Sequence, residues 1–358
     1  MSEKIPKEWK WVKLGEVAEI KTGKTNSQDA NNTGDYPLFD RSSVIKRSKK
    51  FLFDTEAVIV PGEGKEFIPR YYNGKFDLHQ RAYAIFNFKR CISKFIYYNV
   101  LLNKDIFKSF ATGSTVLSLR LEHFLNFPIL LPPLHEQKAI AEVLSSIDDK
   151  IDLLHRQNKT LEEMAMTLFR QWFIEPTKDG LPEGWEEVSL GEIIEISSGK
   201  SIEKGKLKEK GLYPVLGANG EIGRTDDWLY EGELIYTGRV GTLGNVFIVF
   251  RNEKVWLTDN TLVIKPNKNE YFYFVYFTLK NAKLDEYNSG STQPLIRQSD
   301  IKKIEIFLPK INFLKDFEVI SRNLFTKIQF DTSQIQTLDK LRDTLLPKLM
   351  SGELRVKV

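Results

Sequence analysis

At 358 residues the chain is too long for one ordinary domain, and its 41% hydrophobic and 28% charged residues fit a soluble globular protein with material for two cores. The single cysteine, Cys91, excludes an internal disulfide framework and fits a reducing cytoplasm. The net charge of +4 is unevenly spread: residues 1–132 hold 21 Lys/Arg against 14 Asp/Glu, 133–184 hold 6 against 10, 185–309 hold 16 against 18, and 310–358 hold 9 against 6, so only the first segment has the basic excess of an electrostatic nucleic-acid footprint.

In chain order, the N-terminus MSEKIPKEWKWVK is charged and has no apolar signal core. The opener Trp9 to Lys24 reads WKWVKLGEVAEIKTGK. Thr55 to Val60 and Ala82 to Phe88 then read as strands, rich in Val, Ile, Tyr and Phe, with the turn Pro61-Gly62-Glu63-Gly64 beyond the first. Phe95 to Leu102 reads as a strand or a short helix, because periodicity does not decide at that length. Pro132-Pro133 ends this mixed segment and precedes a long helix. Along that helix Ile140, Leu144, Ile147, Ile151, Leu154, Asn158, Leu161, Ala165, Leu168 and Trp172 step by four and three, a heptad seam with one polar Asn.

The second opener, Trp185 to Lys200, reads WEEVSLGEIIEISSGK. Leu229 to Tyr236 reads as a strand, Gly238-Arg239-Val240-Gly241 as a turn, and Tyr271 to Leu279 again as strand or short helix, too short to span a bilayer. A second long helix carries Phe317, Ser321, Leu324, Ile328, Asp331, Ile335, Leu338, Arg342, Leu345 and Leu349 at the same steps, with more polar residues in its seam.

The chain is therefore a repeat. The two openers share nine of sixteen residues. Tyr36-Pro37 matches Tyr213-Pro214, Gly113-Ser114-Thr115 matches Gly290-Ser291-Thr292, Arg120 matches Arg297 and Pro132 matches Pro309, all at an offset of 177, and the two seams superimpose at that offset without a gap. Two copies of one reader imply a two-part target.

The seams predict that the helices pair, and size predicts an antiparallel pair. Each helix spans about 37 residues, or about 55 Å. The second mixed segment must connect the end of the first helix to the start of the second, yet a compact domain of its size is only about 36 Å across. A parallel pair would set those ends about 55 Å apart, whereas an antiparallel pair makes them neighbours. The expected fold is α+β: two pseudo-symmetric mixed α/β domains separated by a two-helix antiparallel coiled coil. Its segments are 1–132, 133–175 (first helix), 176–309 (linker and second domain) and 310–358 (second helix and tail). The helix-pairing residues are Ile140, Leu144, Ile147, Ile151, Leu154, Leu161 and Leu168, with Leu324, Ile328, Ile335, Leu338 and Leu345 opposite.

Catalytic signals are missing. Gly23-Lys24-Thr25 and Gly199-Lys200-Ser201 look like the end of a phosphate-binding P-loop, but the further glycine that motif needs is replaced by Ala18 and Ile194. His79, His123, His135 and His155 lack metal-ligand spacing, and one cysteine builds no zinc site. No dinucleotide fingerprint or nucleophile elbow is present.

Three motifs stand out beside the repeat: L-G-E-x-x-E-I-x-x-G-K at Leu14 to Lys24 and Leu190 to Lys200, Pro-Pro-Leu-His-Glu-Gln-Lys at Pro132 to Lys138, and Leu346-Pro347-Lys348-Leu349-Met350-Ser351-Gly352-Glu353-Leu354. With them, essentially the whole chain resembles the specificity (S) subunits of type I restriction-modification enzymes. It departs at Pro309-Lys310-Ile311-Asn312-Phe313, where the first copy has Pro-Pro-Leu-His-Glu, which leaves the start of the second helix less firmly marked. The resemblance implies a non-catalytic, cytoplasmic chain without a cofactor. Each mixed segment would be a target recognition domain reading half of a split site in double-stranded DNA. The helices would fix the unread spacer and dock two methyltransferase (M) subunits, which carry S-adenosylmethionine. Restriction (R) subunits would add ATP- and Mg-dependent translocation and cleavage.

The resemblance supplies no base contacts, so these are chosen by loop position and chemistry. Lys24 and Thr25, with repeat partners Lys200 and Ser201, suit phosphates. Arg41, Lys65 and Arg81 are the further candidates in the first domain, and Asn219, Arg224, Arg239 and Asn245 in the second, since Arg suits guanine and Asn suits adenine. Two other readings stay open at this point. One is a coiled-coil scaffold that binds only proteins, favoured by the net-acidic second domain; the other is an enzyme with a dispersed site, for which no motif speaks.

Overall fold

The computed structural model describes residues 5–31, 33–113, 116–241, 243–288 and 294–357. Ser114-Thr115 and Gly290-Ser291-Thr292 of the repeat lie outside these. The chain forms two compact units, one made of residues 1–153 and 334–358 and the other of 154–333. Where the repeat suggests helices as segments of their own, each long helix is shared, one part belonging to each unit.

In the first unit β1 (Lys10–Lys13) pairs with β8 (Pro128–Leu131), closing the ends of the domain on each other. The main sheet has six strands: β2 (Glu19–Thr22), β3 (Tyr36–Phe39), β4 (Lys46–Ser48), β5 (Phe53–Pro61), β6 (Arg70–Leu78) and β7 (Ala82–Phe86), in the order β2-β7-β5-β6-β3-β4. Phe95 to Leu102 resolves as helix, Ser93–Leu102. The second unit repeats the plan. Its strand β9 (Glu186–Ser189) pairs with β18 (Glu305–Leu308), and Phe272–Asn281 is its short helix.

The main sheet of the second unit differs. Its strands β10 (Ile194–Ser198), β11 (Tyr213–Gly217), β12 (Gly220–Thr225), β13 (Tyr230–Glu231), β14 (Leu234–Gly238), β15 (Val246–Val249), β16 (Lys254–Leu257) and β17 (Thr261–Pro266) form two four-stranded sheets, β10-β17-β14-β15 and β12-β11-β16-β13. The single strand expected over Leu229 to Tyr236 is broken at Gly232, whose φ of 93° is open only to glycine at low cost. Its pairing partner breaks too, at a turn closed by Glu253 N–H donating to Phe250 O. In the first unit the equivalent strands β5 and β6 run unbroken, with Gly74 opposite Thr55 taking up the bend.

The openers fold as they do for packing reasons. Leu14 and Leu190 are wholly buried. Glu16 and Glu192 turn back to accept the N–H of Lys13 and Ser189, capping the short turn. Between them, Gly15 and Gly191 sit so close to Leu125 and Lys302 that a Cβ would come within 2.9 Å of each. The Pro132 to Lys138 run ties the first long helix (Leu134–Phe169) to its domain. Glu136 accepts from Trp9 Nε1 and from Arg355, while Gln137 accepts from Ile92 N–H and donates to Pro132 O.

The second long helix, Ile311–Ser351, is longer than expected. Each unit holds an antiparallel pair. In the first, Asp148 meets Arg342 at 3.1 Å and Glu136 meets Arg355. In the second, Asn158 Nδ2 donates to Thr332 Oγ1 at 3.3 Å, and the Phe169 and Phe317 rings lie 6.1 Å apart. Ile140, Leu144, Ile147, Ile151, Leu154 and Ile335 are buried, whereas Leu161, Leu168, Leu324, Ile328, Leu338 and Leu345 are half-buried. In the second unit Ala165 and Phe317 of the seams, with Phe169, Phe173 and Phe325 beside them, pack into the domain core. No helix among the described residues is long and apolar enough to cross a membrane.

Candidate nucleic-acid interface

In the first unit, loops at one end of the main sheet gather most of the candidate side chains. Lys24 follows a glycine, Gly23, whose Cβ would fall 1.9 Å from Leu78 O, so only glycine lets this loop cross the end of β6. Lys24 N–H donates to Leu78 O, and the Lys24 side chain points to solvent. The next turn carries His79, Gln80 and Arg81. Gln80 Nε2 donates to Asn26 Oδ1, and Arg81 N–H donates to His79 Nδ1. Burial holds the His79 imidazole below its ordinary pKa, which suits this acceptor role. Gly62 N–H donates to Arg81 O, so the turn Gly62-Glu63-Gly64 lies beside it. Glu63 accepts from Arg81 Nη1 at 2.8 Å and has Arg41 Nη1 at 4.0 Å, and Lys65 is exposed two residues on. Beneath Arg41, Asp40 is 3% exposed. Burial works to raise its carboxyl, but donors from Lys46 and Ser42 N–H outweigh burial and hold it below the usual carboxylate range.

The second unit reproduces much of this backbone, although the loop of Arg41 is replaced by a tight turn between Gly217 and Gly220. Gly199 crosses the end of β16, with Leu257 O 2.4 Å from its would-be Cβ, and Lys200 N–H donates to Leu257 O. Arg239 N–H donates to Asn260 O, as Gly62 does to Arg81 O, and Ile296 N–H donates to Arg239 O, as Leu119 does to Gly62 O. The side chains differ. Arg239 Nη1 donates to Ser198 Oγ at 3.0 Å, and its Nε is buried with no partner among the described residues. Ser201 Oγ donates to Asp259, and Asn245 Nδ2 donates to Asn219 Oδ1 at 3.2 Å.

Two candidates are corrected by this geometry. Thr25 is 1% exposed, and its hydroxyl is held by the buried carboxylate of Asp77, so it offers nothing to a phosphate. Arg224 does not reach outward. Its Nε and Nη2 donate to Gly211 O and Leu212 O and staple the β11–β12 hairpin. Arg47 does the same to Gly34 O and Asp35 O at the offset of 177. That shared position was a usable signal, because an arginine common to two readers of different sequences is a poor candidate base reader. Glu63 was missed because an acid inside a basic patch was not sought.

The model of the family described as "Type I restriction modification DNA specificity domain" matches residues 6–163 and again 182–329. The chain belongs to this type I DNA-specificity family. Among its relatives, the type I restriction enzyme MjaIX specificity subunit of Methanocaldococcus jannaschii is 28% identical, with 99% of this chain and 95% of the relative covered. The EcoDI specificity subunit of Escherichia coli is also 28% identical, covering 98% and 90%. In fold the chain is similar to the crystal structure of a type I restriction-modification S subunit from M. genitalium, with a TM-score of 0.64, 20% identity and coverage of 98% and 97%. The specificity chain is thus an α+β DNA-recognition component of a type I system and not its catalytic one, and the scaffold and dispersed-enzyme readings fall away.

Proposed function

We propose that each unit of the specificity chain reads one part of a two-part DNA target through the loops around Lys24 and Lys200, and that the long helices set the spacer and dock two M subunits. In this reading the M subunits bring S-adenosylmethionine, and R subunits bring ATP and Mg. One observation carries it: the two units keep one loop backbone but change the side chains on it. Gly62, Glu63 and Arg81 stand where Arg239, Val240 and Asn260 stand, on matching backbone hydrogen bonds and bridges. Phosphates are alike under every base pair, so shared Lys24 and Lys200 suit phosphate contact, while divergent positions suit base contact. Lys65, Ser201, Asn219 and Asn245 remain contact candidates in this reading, and Ile140 to Leu168 and Leu324 to Leu345 the pairing residues.

The spacer role is tested by lengthening both helices together, because Asn158 faces Thr332 across the pair. Four residues added near each would extend the helices by about 6 Å and rotate them about 40° beyond a full turn. One base pair advances about 3.4 Å and turns about 34°. Methylation assays with the M subunits on graded targets should show a preferred spacer one base pair longer, with both half-sites unchanged. An unchanged spacer preference would overturn the role.

A further inference from the structure

We infer that Glu63 is a positioning residue that presents Arg41 and Arg81 as paired guanine readers for the half-site of the first unit. This rests on the reading that these loops face DNA. A carboxylate on such a face needs an explanation, since it repels phosphates and weakens general attraction. Glu63 is well placed to give one. Its side chain is 18% exposed, while those of Arg41 and Arg81 are each 58% exposed. Its backbone is pinned on both sides, with Gly62 N–H on Arg81 O and Gly64 N–H on Leu117 O. One fixed anion thus hydrogen-bonds one exposed cation at 2.8 Å and attracts a second at 4.0 Å.

The exchange favours base reading over phosphate contact. Two free arginines would offer two charges, which is what a phosphate rewards. Held by Glu63, they offer one net charge but directed N–H groups, which is what the O6 and N7 edge of guanine rewards. The second unit supplies an independent observation. There the positions of Arg41, Glu63 and Arg81 hold Ala218, Val240 and Asn260, so the acid is lost together with both arginines; the backbone bonds around Glu63 and Arg81 stay, while the wide loop that carries Arg41 becomes the tight turn between Gly217 and Gly220. An acid that is lost together with both of the cations it faces behaves with them as one device.

The test uses the specificity chain assembled with its M subunits. Target preference is first defined by selection from randomised DNA, then Kd is measured on cognate DNA, on DNA with single half-site substitutions and on non-cognate DNA. Glu63→Gln should bind non-cognate DNA as tightly as the natural chain or more so. It should lose about tenfold discrimination at one or two guanines of one half-site and leave the other half-site intact. A purely structural ion pair would move affinity or melting without this split. Unchanged discrimination, or equal loss at both half-sites, would overturn the inference. The double variant Arg41→Ala/Arg81→Ala separates the two levels. If it leaves DNA binding and preference untouched, the loops do not face DNA and the proposed function falls with the inference. If it abolishes discrimination in one half-site while Glu63→Gln does not, only the role of Glu63 falls.

Discussion

The two units solve one folding problem with different sheets. The first bends an unbroken pair of strands, β5 and β6, through Gly74; the second breaks both strands, at Gly232 and at Phe250–Glu253, and so carries two four-stranded sheets in place of one of six. The backbone bonds around Gly23, Gly62 and Arg81 nevertheless recur around Gly199, Arg239 and Asn260. The frame under the loops tolerates rearrangement as long as the crossing glycines, Gly23 and Gly199, and the opener cores, Leu14 and Leu190, are kept. A duplicated reader can then change its side chains without rebuilding the loops that carry them.

The largest expected effect tests whether the second unit has a core of its own. Phe317 is fully buried among Phe169, Trp172, Phe173 and Phe277. Phe317→Ala should cost about 3–5 kcal/mol. Hydrogen exchange should show the loss in the strands between Glu186 and Leu308, with the strands between Phe53 and Phe86 still protected. Equal loss in both sets would show one shared core instead of two.

A smaller effect tests the separation of reading. Arg239 stands on the frame that holds Gly62 in the first unit. Arg239→Ala should reduce discrimination by about 1–3 kcal/mol at a base pair in one half-site only, measured by binding to substituted targets with the M subunits present. Loss at both half-sites would remove the assignment of one unit to each half.

What was legible in the sequence is what backbone geometry and burial demand. Gly23 and Gly199 stand out because no other residue fits against Leu78 O and Leu257 O, and the helices because their apolar steps repeat. The side-chain roles were less legible, since a hydroxyl or guanidinium carries the same chemistry inside and outside. Thr25 and Arg224 read as DNA donors from composition, yet Asp77 and the carbonyls of Gly211 and Leu212 had already taken their donors. The split of β5-like and β6-like strands in the second unit was not legible either, because Gly232 interrupts no apolar run long enough to show a period. In the helix seam, sequence gave polar residues at Asp331 and Arg342 but not what they meet.

Those two seam residues give the last and smallest contrast. Arg342 is answered across the pair: Asp148 lies 3.1 Å away and also accepts from Tyr98 Oη at 2.7 Å. Asp331 is not answered across the pair. It is 0% exposed, and among the described residues it pairs with Lys327 one turn back on its own helix. Its Oδ2, like Asn158 Oδ1 in the same unit, is buried with no hydrogen-bond partner among the described residues. Removing one side of a satisfied pair strands the other, so Arg342→Ala should cost about 1.5–3 kcal/mol. Lys327 is half exposed and returns to water when its partner goes, so Asp331→Leu deletes a desolvation penalty without stranding a buried charge and should be neutral or stabilising by about 1 kcal/mol. Opposite signs in two denaturation curves would establish that the seam is polar for different reasons in the two units. A clear destabilisation by Asp331→Leu would mean that the buried acid holds the pair in register, and spacer preference in the Asp331→Leu complex should then broaden as well.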